Sequence, residues 1–289
     1  MRWQQGRRSR NVEDRRGSGG RGRGRIAVGG GGLVLLIGVA IVMALMGKDP
    51  TALLEAAAGS GGPSTPSAPS APNPGEDELA DFVSVVLADT EDTWAGLLQQ
   101  RGVAYQAPTL VLFRDQVRSA CGLNSAAVGP FYCPGDRQVY IDLSFFEELD
   151  RRFGAPGDFA QAYVIAHEVG HHLQTHLGIS QRIRAQRRRA SEVESNNLSV
   201  RQELQADCFA GVWAHHANRQ RQVLEPGDLE EGLRAAAAIG DDTLQRRAGA
   251  RVAPESWTHG SSEQRVRWFR AGFQSGNMDV CDTFQAAQL

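Results

Sequence analysis

From Glu76 to about Gln100 apolar side chains return every three or four positions. Leu79, Phe82, Val83, Val86, Leu87 and Trp94 fall along one stripe, which predicts an amphipathic helix opening a folded domain. Three short runs follow: Thr109 to Phe113 (TLVLF), Val128 to Cys133 and Gln138 to Leu143 (QVYIDL). They are rich in β-branched and aromatic residues and punctuated by glycine and proline, the pattern of strands in a small sheet. Pro134, Gly135 and Asp136 carry turn chemistry between the last two, so a hairpin is expected there. Beyond Ser144 helical periodicity dominates, with segments expected at 145–152, 157–177, 181–190, 196–221, 226–247 and 261–275. A small sheet followed by many helices predicts a mainly helical α+β domain.

Upstream of this domain the pattern changes. Ile26 to Met46 is a run of 21 residues without a charge, long enough to cross a hydrocarbon core of about 30 Å as one transmembrane helix. The four glycines Gly29 to Gly32 are better tolerated in such a span than in a water-soluble helix. A cleaved signal peptide would have a shorter apolar region with a small-residue cleavage site after it, whereas Lys48, Asp49 and Pro50 follow here. Nine arginines precede residue 26 against Glu13 and Asp14 alone, so residues 1–25 read as a basic, disordered tail. That charge asymmetry places the N-terminus in the cytoplasm and everything past Lys48 outside the plasma (inner) membrane. Gly59 to Gly75 is almost entirely Gly, Ser, Pro, Ala and Thr, so residues 47–75 read as a linker and 76–289 as the extracytoplasmic domain. With 289 residues the chain can carry one such domain plus these appendages. A formal net charge of −2 gives no general pull toward nucleic acid, and no nucleic-acid partner is expected.

All four cysteines follow the apolar run, on the side where disulfides persist. Of the three pairings that Cys121, Cys133, Cys208 and Cys281 permit, Cys121 with Cys133 and Cys208 with Cys281 are favoured; the spacing lacks the close CxxC pairs of a four-cysteine zinc site.

The chemistry concentrates in AYVIAHEVGHHLQTHL (Ala162 to Leu177), where His167, Glu168 and His171 spell HExxH within a helical pattern. Positions four apart share a helix face, so both imidazoles can reach one Zn²⁺, with Glu168 beside them as the base that activates water. The longer pattern HExxHxxGxxH is absent, because Gln174 and Leu177 stand where its glycine and third histidine belong. A glutamate on a second helix is the other solution, and RQELQADCFAGVWA (Arg201 to Ala214) offers Glu203 as third ligand. Asp207, on the same face, is placed to accept the free ring N–H of His167. His259 precedes the last expected helix, which Ser261 or Ser262 can cap, and is placed to donate to the oxyanion of a tetrahedral intermediate. His172, His176, His215 and His216 read as packing or surface residues, and the run RIRAQRRRA (Arg182 to Ala190) as a solvated helix face, favoured over steering of acidic substrates or contact with lipid headgroups.

Several stretches together resemble the YpfJ-like bacterial neutral zinc metallopeptidases: RRSRNVEDRRG (Arg7 to Gly17), GPFYCPGDRQVYIDLSFF (Gly129 to Phe146), HEVGHHLQ, ELQADCFAGVWAH and THGSSEQR. The order HExxH, then ExxxD, then a histidine before a final helix is also similar to gluzincins. The resemblance implies a zincin-like domain in which Glu203 is the third ligand, Asp207 and Arg265 support the ligands, with Arg265 anchoring the last loop, and His259 stabilises the transition state. The expectation is therefore a membrane-anchored, one-zinc endopeptidase acting on peptides or proteins. The competing reading is a zinc-stabilised scaffold that binds a partner at the membrane surface and cuts nothing; an open metal position beside Glu168 speaks against it.

Overall fold

The computed structural model describes residues 1–17 and 74–289. The expected transmembrane helix at 26–46, the rest of the basic tail and the linker up to residue 73 lie outside the described residues. Among those described, no helix is long and apolar enough to cross a membrane.

The expected opening helix is α1 (Pro74–Gln99), which buries Phe82, Val83, Val86, Leu87, Trp94 and Leu98. It leads into a four-stranded sheet of order β1-β2-β6-β5, built from β1 (Val12–Asp14), β2 (Thr109–Phe113), β5 (Phe131–Cys133) and β6 (Gln138–Asp142). β2 pairs in parallel with β1 and β6, while β5 and β6 form the expected antiparallel hairpin, with β5 at the edge. The run at 128–133 is strand only over its second half, because residues 126–128 form a 3₁₀ turn capped by Ser125. A second hairpin, β3 (Gln116–Ser119) with β4 (Gly122–Ser125), was not expected. Of its eight residues only Val117 is buried, so no alternating apolar signal marks it. Both favoured disulfides are present: Cys121 to Cys133 ties this hairpin to β5, and Cys208 to Cys281 ties the C-terminal segment to a core helix.

Helices α2 (Ser144–Arg151), α3 (Asp158–His176), α4 (Ile179–Arg187), α5 (Glu192–Arg221), α6 (Asp228–Ala238), α7 (Asp241–Arg247) and α8 (Ser262–Ser275) complete the α+β domain. α5 begins four residues earlier than its apolar pattern because Ser191 and Glu194 make a reciprocal capping box, which satisfies backbone donors that would otherwise be orphaned. The single helix expected at 226–247 is two, broken at Gly240. A Cβ there would lie 2.4 Å from the Ser262 nitrogen, so the chain turns at the one residue that lets α7 approach the start of α8. α3 lies at the centre, packed on α1, α5 and α6, with Phe159, Tyr163, Ile165, Val169 and Leu173 fully buried.

The expected disorder of the N-terminal tail is corrected for residues 1–17. Met1–Arg16 belong to the same compact unit as the rest of the domain: β1 extends the sheet through Val12, Glu13 and Asp14, opposite Leu110, Val111 and Leu112. Trp3 packs edge-on against Phe82. The arginines find the acidic outer face of α1, with Arg7 on Glu91 and Asp92, Arg8 on Asp81 and Arg16 on Asp77. Glu91, which is 8% exposed, accepts from Ser9 Oγ at 2.5 Å, Asn11 Nδ2 at 2.7 Å and Arg7 Nη2 at 2.8 Å. Composition argued for disorder because it counts charges without their partners, which here lie about 80 positions away.

Replacing Glu91 with alanine strands three donors, at a cost of about 2–3 kcal/mol. For a domain of this size that corresponds to a melting temperature lower by roughly 4–12 °C. Trypsin is expected to cut faster among Arg7, Arg8 and Arg10 in that variant; an unchanged melt and digestion rate would show that the network does not hold the segment.

Candidate metal centre

Helix α3 carries the HExxH residues on a segment with no fully exposed residue; only Asp158, Gln161, His171 and His176 are partly exposed. The two imidazoles stand one turn apart with ring centroids 4.8 Å from each other. Beside them runs α5. The two helices come close because Gly170 lies between the histidines: a Cβ at that position would press within 3.0 Å of the Ala206 backbone. The approach brings Glu203 onto both rings, its carboxylate 3.2 Å from His167 Nε2 and 3.4 Å from His171 Nε2. The donor atoms of His167, His171 and Glu203 all lie within 4.8 Å of one another.

The other nitrogen of each ring is engaged by protein. His167 Nδ1 donates to Asp207 Oδ1 at 2.8 Å, as the sequence predicts, and His171 Nδ1 donates to Gln174 Oε1 at 3.0 Å. Gln174 is oriented by its own amide, which donates to the Gln202 carbonyl at 2.6 Å and to Gln205 Oε1 at 3.2 Å. With each Nδ1 held by protein, Nε2 is the nitrogen of both rings that faces Glu203, where it can bind a metal ion or, without one, donate a proton to that carboxylate.

Behind the site is a buried cluster that the sequence revealed only in part. Arg265, expected beside Asp207 in support of the ligands, reaches from α8 to grip Asp207 with Nε at 2.8 Å and Nη2 at 2.9 Å; its remaining donors meet Tyr163 and the Ile239 carbonyl. The Tyr163 hydroxyl also donates to Asp207 Oδ1, at 2.5 Å. Neither Tyr163 nor Gln174 was read as a site residue. The available signal was spacing, since Tyr163 lies four residues before His167 and Gln174 three after His171, each on its histidine's face of α3.

The electrostatics fit a cation. Burial opposes charge on either imidazole, yet Glu203 lifts His171 to about 10, and Asp207 lifts His167. Asp207 is held at about 2 despite burial, by Arg265 and His167, and Glu203 is held well below the carboxylate range, chiefly by His171. The two rings thus lie where positive charge is stabilised, whether a proton or a divalent ion, and two histidines with a carboxylate are a natural zinc donor set.

A cavity of about 450 Å³ opens on this trio, lined also by Glu168, Phe131, Tyr132, Phe145, Phe153 and His259. The Glu168 side chain is largely buried, yet its carboxylate makes no hydrogen bond to any described residue and faces this space. His259 lies on the loop before α8, where Ser261 and Gln264 form the capping box. Asp241 accepts from its Nδ1 at 3.2 Å and, against burial, raises its pKa. The other histidines have structural partners, as expected: His172 and His176 bond the carbonyls of Gln106 and Ala104, and His215 and His216 those of Phe273 and Gly276. A second acidic group, Asp158 with Asp228 and Glu231, is met by the Met1 ammonium, 2.6 Å from Asp158 and 3.4 Å from Asp228.

The model of one family, described as "Putative neutral zinc metallopeptidase", matches residues 1–284. The chain belongs to this family. Similar proteins include the uncharacterized protein YpfJ of Escherichia coli (strain K12), 53% identical over 290 residues that span 98% of this chain and 99% of that one. An uncharacterized protein of Mycobacterium tuberculosis (strain H37Rv) is 46% identical over 195 residues, 64% of this chain and 65% of that one. No solved structure matches. Family membership implies zinc, and the trio fits it.

Asp207→Asn is expected to weaken zinc binding by about 10–100-fold, measured by competition with a chromophoric chelator, because the His167 tautomer loses its anchor. Tyr163→Phe removes one donor to the same carboxylate and is expected to cost less than Asp207→Asn in that assay. Equal zinc affinity in wild type and Asp207→Asn would mean that the buried cluster serves folding alone.

Proposed function

We propose that the chain is a zinc-dependent endopeptidase, holding one Zn²⁺ through His167 Nε2, His171 Nε2 and Glu203, with Glu168 as general base. The observation that carries this reading is Glu168: a shielded carboxylate without a hydrogen-bond partner among the described residues, adjoining a three-donor metal set in a cavity of about 450 Å³. A site that only stabilised the fold would have its metal closed by a fourth protein ligand and no need of such a group.

Bound there, zinc supplies Lewis acidity, which brings the ionisation of water toward neutral pH and polarises a carbonyl. Glu168 takes the proton of the attacking water on its free carboxylate oxygen. It then passes that proton to the amide nitrogen as the carbon–nitrogen bond breaks. His259 lines the same cavity, with a raised pKa that favours its donor form; its ring N–H stabilises the oxygen that gains charge as the carbonyl carbon becomes tetrahedral. Asp207, Gln174, Tyr163 and Arg265 hold the imidazoles in place. The edge strand β5 borders the same space through Phe131 and Tyr132, so an extended peptide has backbone partners beside the metal.

Glu168→Gln is expected to retain zinc, at one ion per chain by metal analysis, while cleavage of casein or a peptide library falls by about 10²–10⁴-fold. His171→Ala and Glu203→Ala are expected to lose the ion together with the activity. Wild-type proteolysis in Glu168→Gln would refute the assigned base, and chelator-insensitive proteolysis would refute the metal.

A further inference from the structure

A second cavity, of about 490 Å³, adjoins the first, and the two share Tyr132, His171 and Glu203. Their linings differ in kind. The first is walled by Phe131, Phe145, Phe153 and Ile239, whereas the second presents Arg184, Arg187 and Arg188 from α4 and the turn after it. Ile183 is the one fully shielded side chain of α4 and pins the helix to the domain, leaving these guanidiniums exposed. None of the three forms an ion pair with a described residue, although Arg187 donates to Ser195 Oγ at 3.0 Å. The only carboxylate in the lining is Glu203, which the metal site uses. Three unneutralised cations in a concave wall beside a buried metal trio focus a positive potential on one side of the scissile position. Guanidinium is the side chain best shaped to take a carboxylate in two parallel hydrogen bonds.

The geometry points to Arg184, Arg187 and Arg188 as a carboxylate-recognising subsite, so that the preferred substrate is a peptide with an apolar side chain in one cavity and a carboxylate in the other. This rests on the peptidase reading and adds a substrate class to it. The carboxylate comes either from an acidic side chain or from the C-terminus of the peptide being cut. The RIRAQRRRA run, a solvated face by its sequence, thereby acquires a role from its place along the cleft.

The test compares cleavage by the zinc-loaded full chain of matched peptides with Glu or Gln near the scissile bond, each with a free or an amidated C-terminus. Glu over Gln is expected to be favoured by about three- to tenfold in kcat/KM, as two or three exposed ion pairs permit. A free C-terminus favoured over the amide instead assigns the same subsite to the terminal carboxylate. Arg184→Glu with Arg188→Glu is expected to invert the ratio toward Lys-containing peptides, an outcome that misfolding cannot imitate. Arg182→Gln with Arg189→Gln, on the same segment but off the cavity lining, is expected to leave the ratio unchanged. Binding of the same peptides to the Glu168→Gln chain, read by fluorescence anisotropy, separates the two ideas. No chelator-sensitive cleavage of any peptide would overturn the peptidase reading, whereas equal binding of the Glu and Gln peptides, with free and with amidated C-termini alike, would overturn the subsite. Loss of retention on phosphatidylglycerol vesicles in the double Glu variant, with no change in peptide preference, would likewise overturn it in favour of a lipid-facing role.

The N-terminal strand carries an independent consequence. We infer that Met1–Arg16 and the metal-bearing domain occupy one compartment, because β1 is paired inside the sheet and Glu91, Asp81 and Asp77 take their cations from Arg7, Arg8 and Arg16. A cytoplasmic N-terminus with an external domain would require all of these contacts to be undone. Single cysteines introduced at the exposed Arg10 and, separately, at the exposed Arg189 of the full chain report the side of each. With a membrane-impermeant maleimide on spheroplasts, both are expected to label or both to be protected. Labelling of one and protection of the other would overturn the inference.

Discussion

Asp207 and Arg265 meet where neither side chain reaches water, at 0% and 2% exposure, and the placement of the metal trio follows from their contact. Removing two charges from solvent costs several kcal/mol per ion, which a single ion pair recovers only with good geometry and further hydrogen bonds. Here Asp207 accepts from two guanidinium nitrogens, from the Tyr163 hydroxyl and from His167 Nδ1, so no lone pair of consequence goes without a donor. The atoms that satisfy Asp207, itself on α5, belong to α3 and α8. The pair therefore fixes the rotation of three helices about their axes, and with it the direction of His167 Nε2. An apolar replacement of equal volume would pack as well and leave the ring free to turn.

Glu203 is the complementary half of that constraint. One turn earlier on α5, it is held by the two imidazoles it approaches, and their mutual stabilisation makes the trio a place for positive charge. Gly170 sets the distance: without its missing side chain α3 and α5 would stand further apart, and Glu203 would not span to both rings. A residue with no functional group thus determines whether three ligands converge.

Much of this was legible because helical spacing is local. HExxH and ExxxD each declare a face of a helix within five residues, and the strand at Thr109–Phe113 declares itself by composition. What escaped depended on partners far away in the chain. Arg265 reads as a supporting residue by resemblance alone, and that it acts by gripping Asp207, 58 positions earlier, shows only once α5 and α8 are packed together. The first 16 residues read as a tail because their arginines outnumber their acids, although α1 holds the matching carboxylates at Asp77, Asp81, Glu91 and Asp92. The β3–β4 hairpin escaped for another reason, its strands having almost nothing to bury.

The N-terminal segment also bears on the metal-bearing helix itself. α3 begins at Asp158, whose carboxylate takes both hydrogen bonds of the Met1 ammonium, while the Phe159 backbone nitrogen donates to Glu231. Carboxylates at a helix N-terminus already gain from the macrodipole, and the one cation shared by Asp158 and Asp228 offsets part of the like-charge repulsion where α6 packs against α3. The segment that completes the sheet at Val12–Asp14 therefore also tethers the first turn of the helix that presents His167 and His171. Loosening it acts on two elements at once, the outer strand and the base of α3. Integrity of the first 16 residues and geometry of the metal trio are for that reason one structural property of this domain, although no residue of the segment touches the trio.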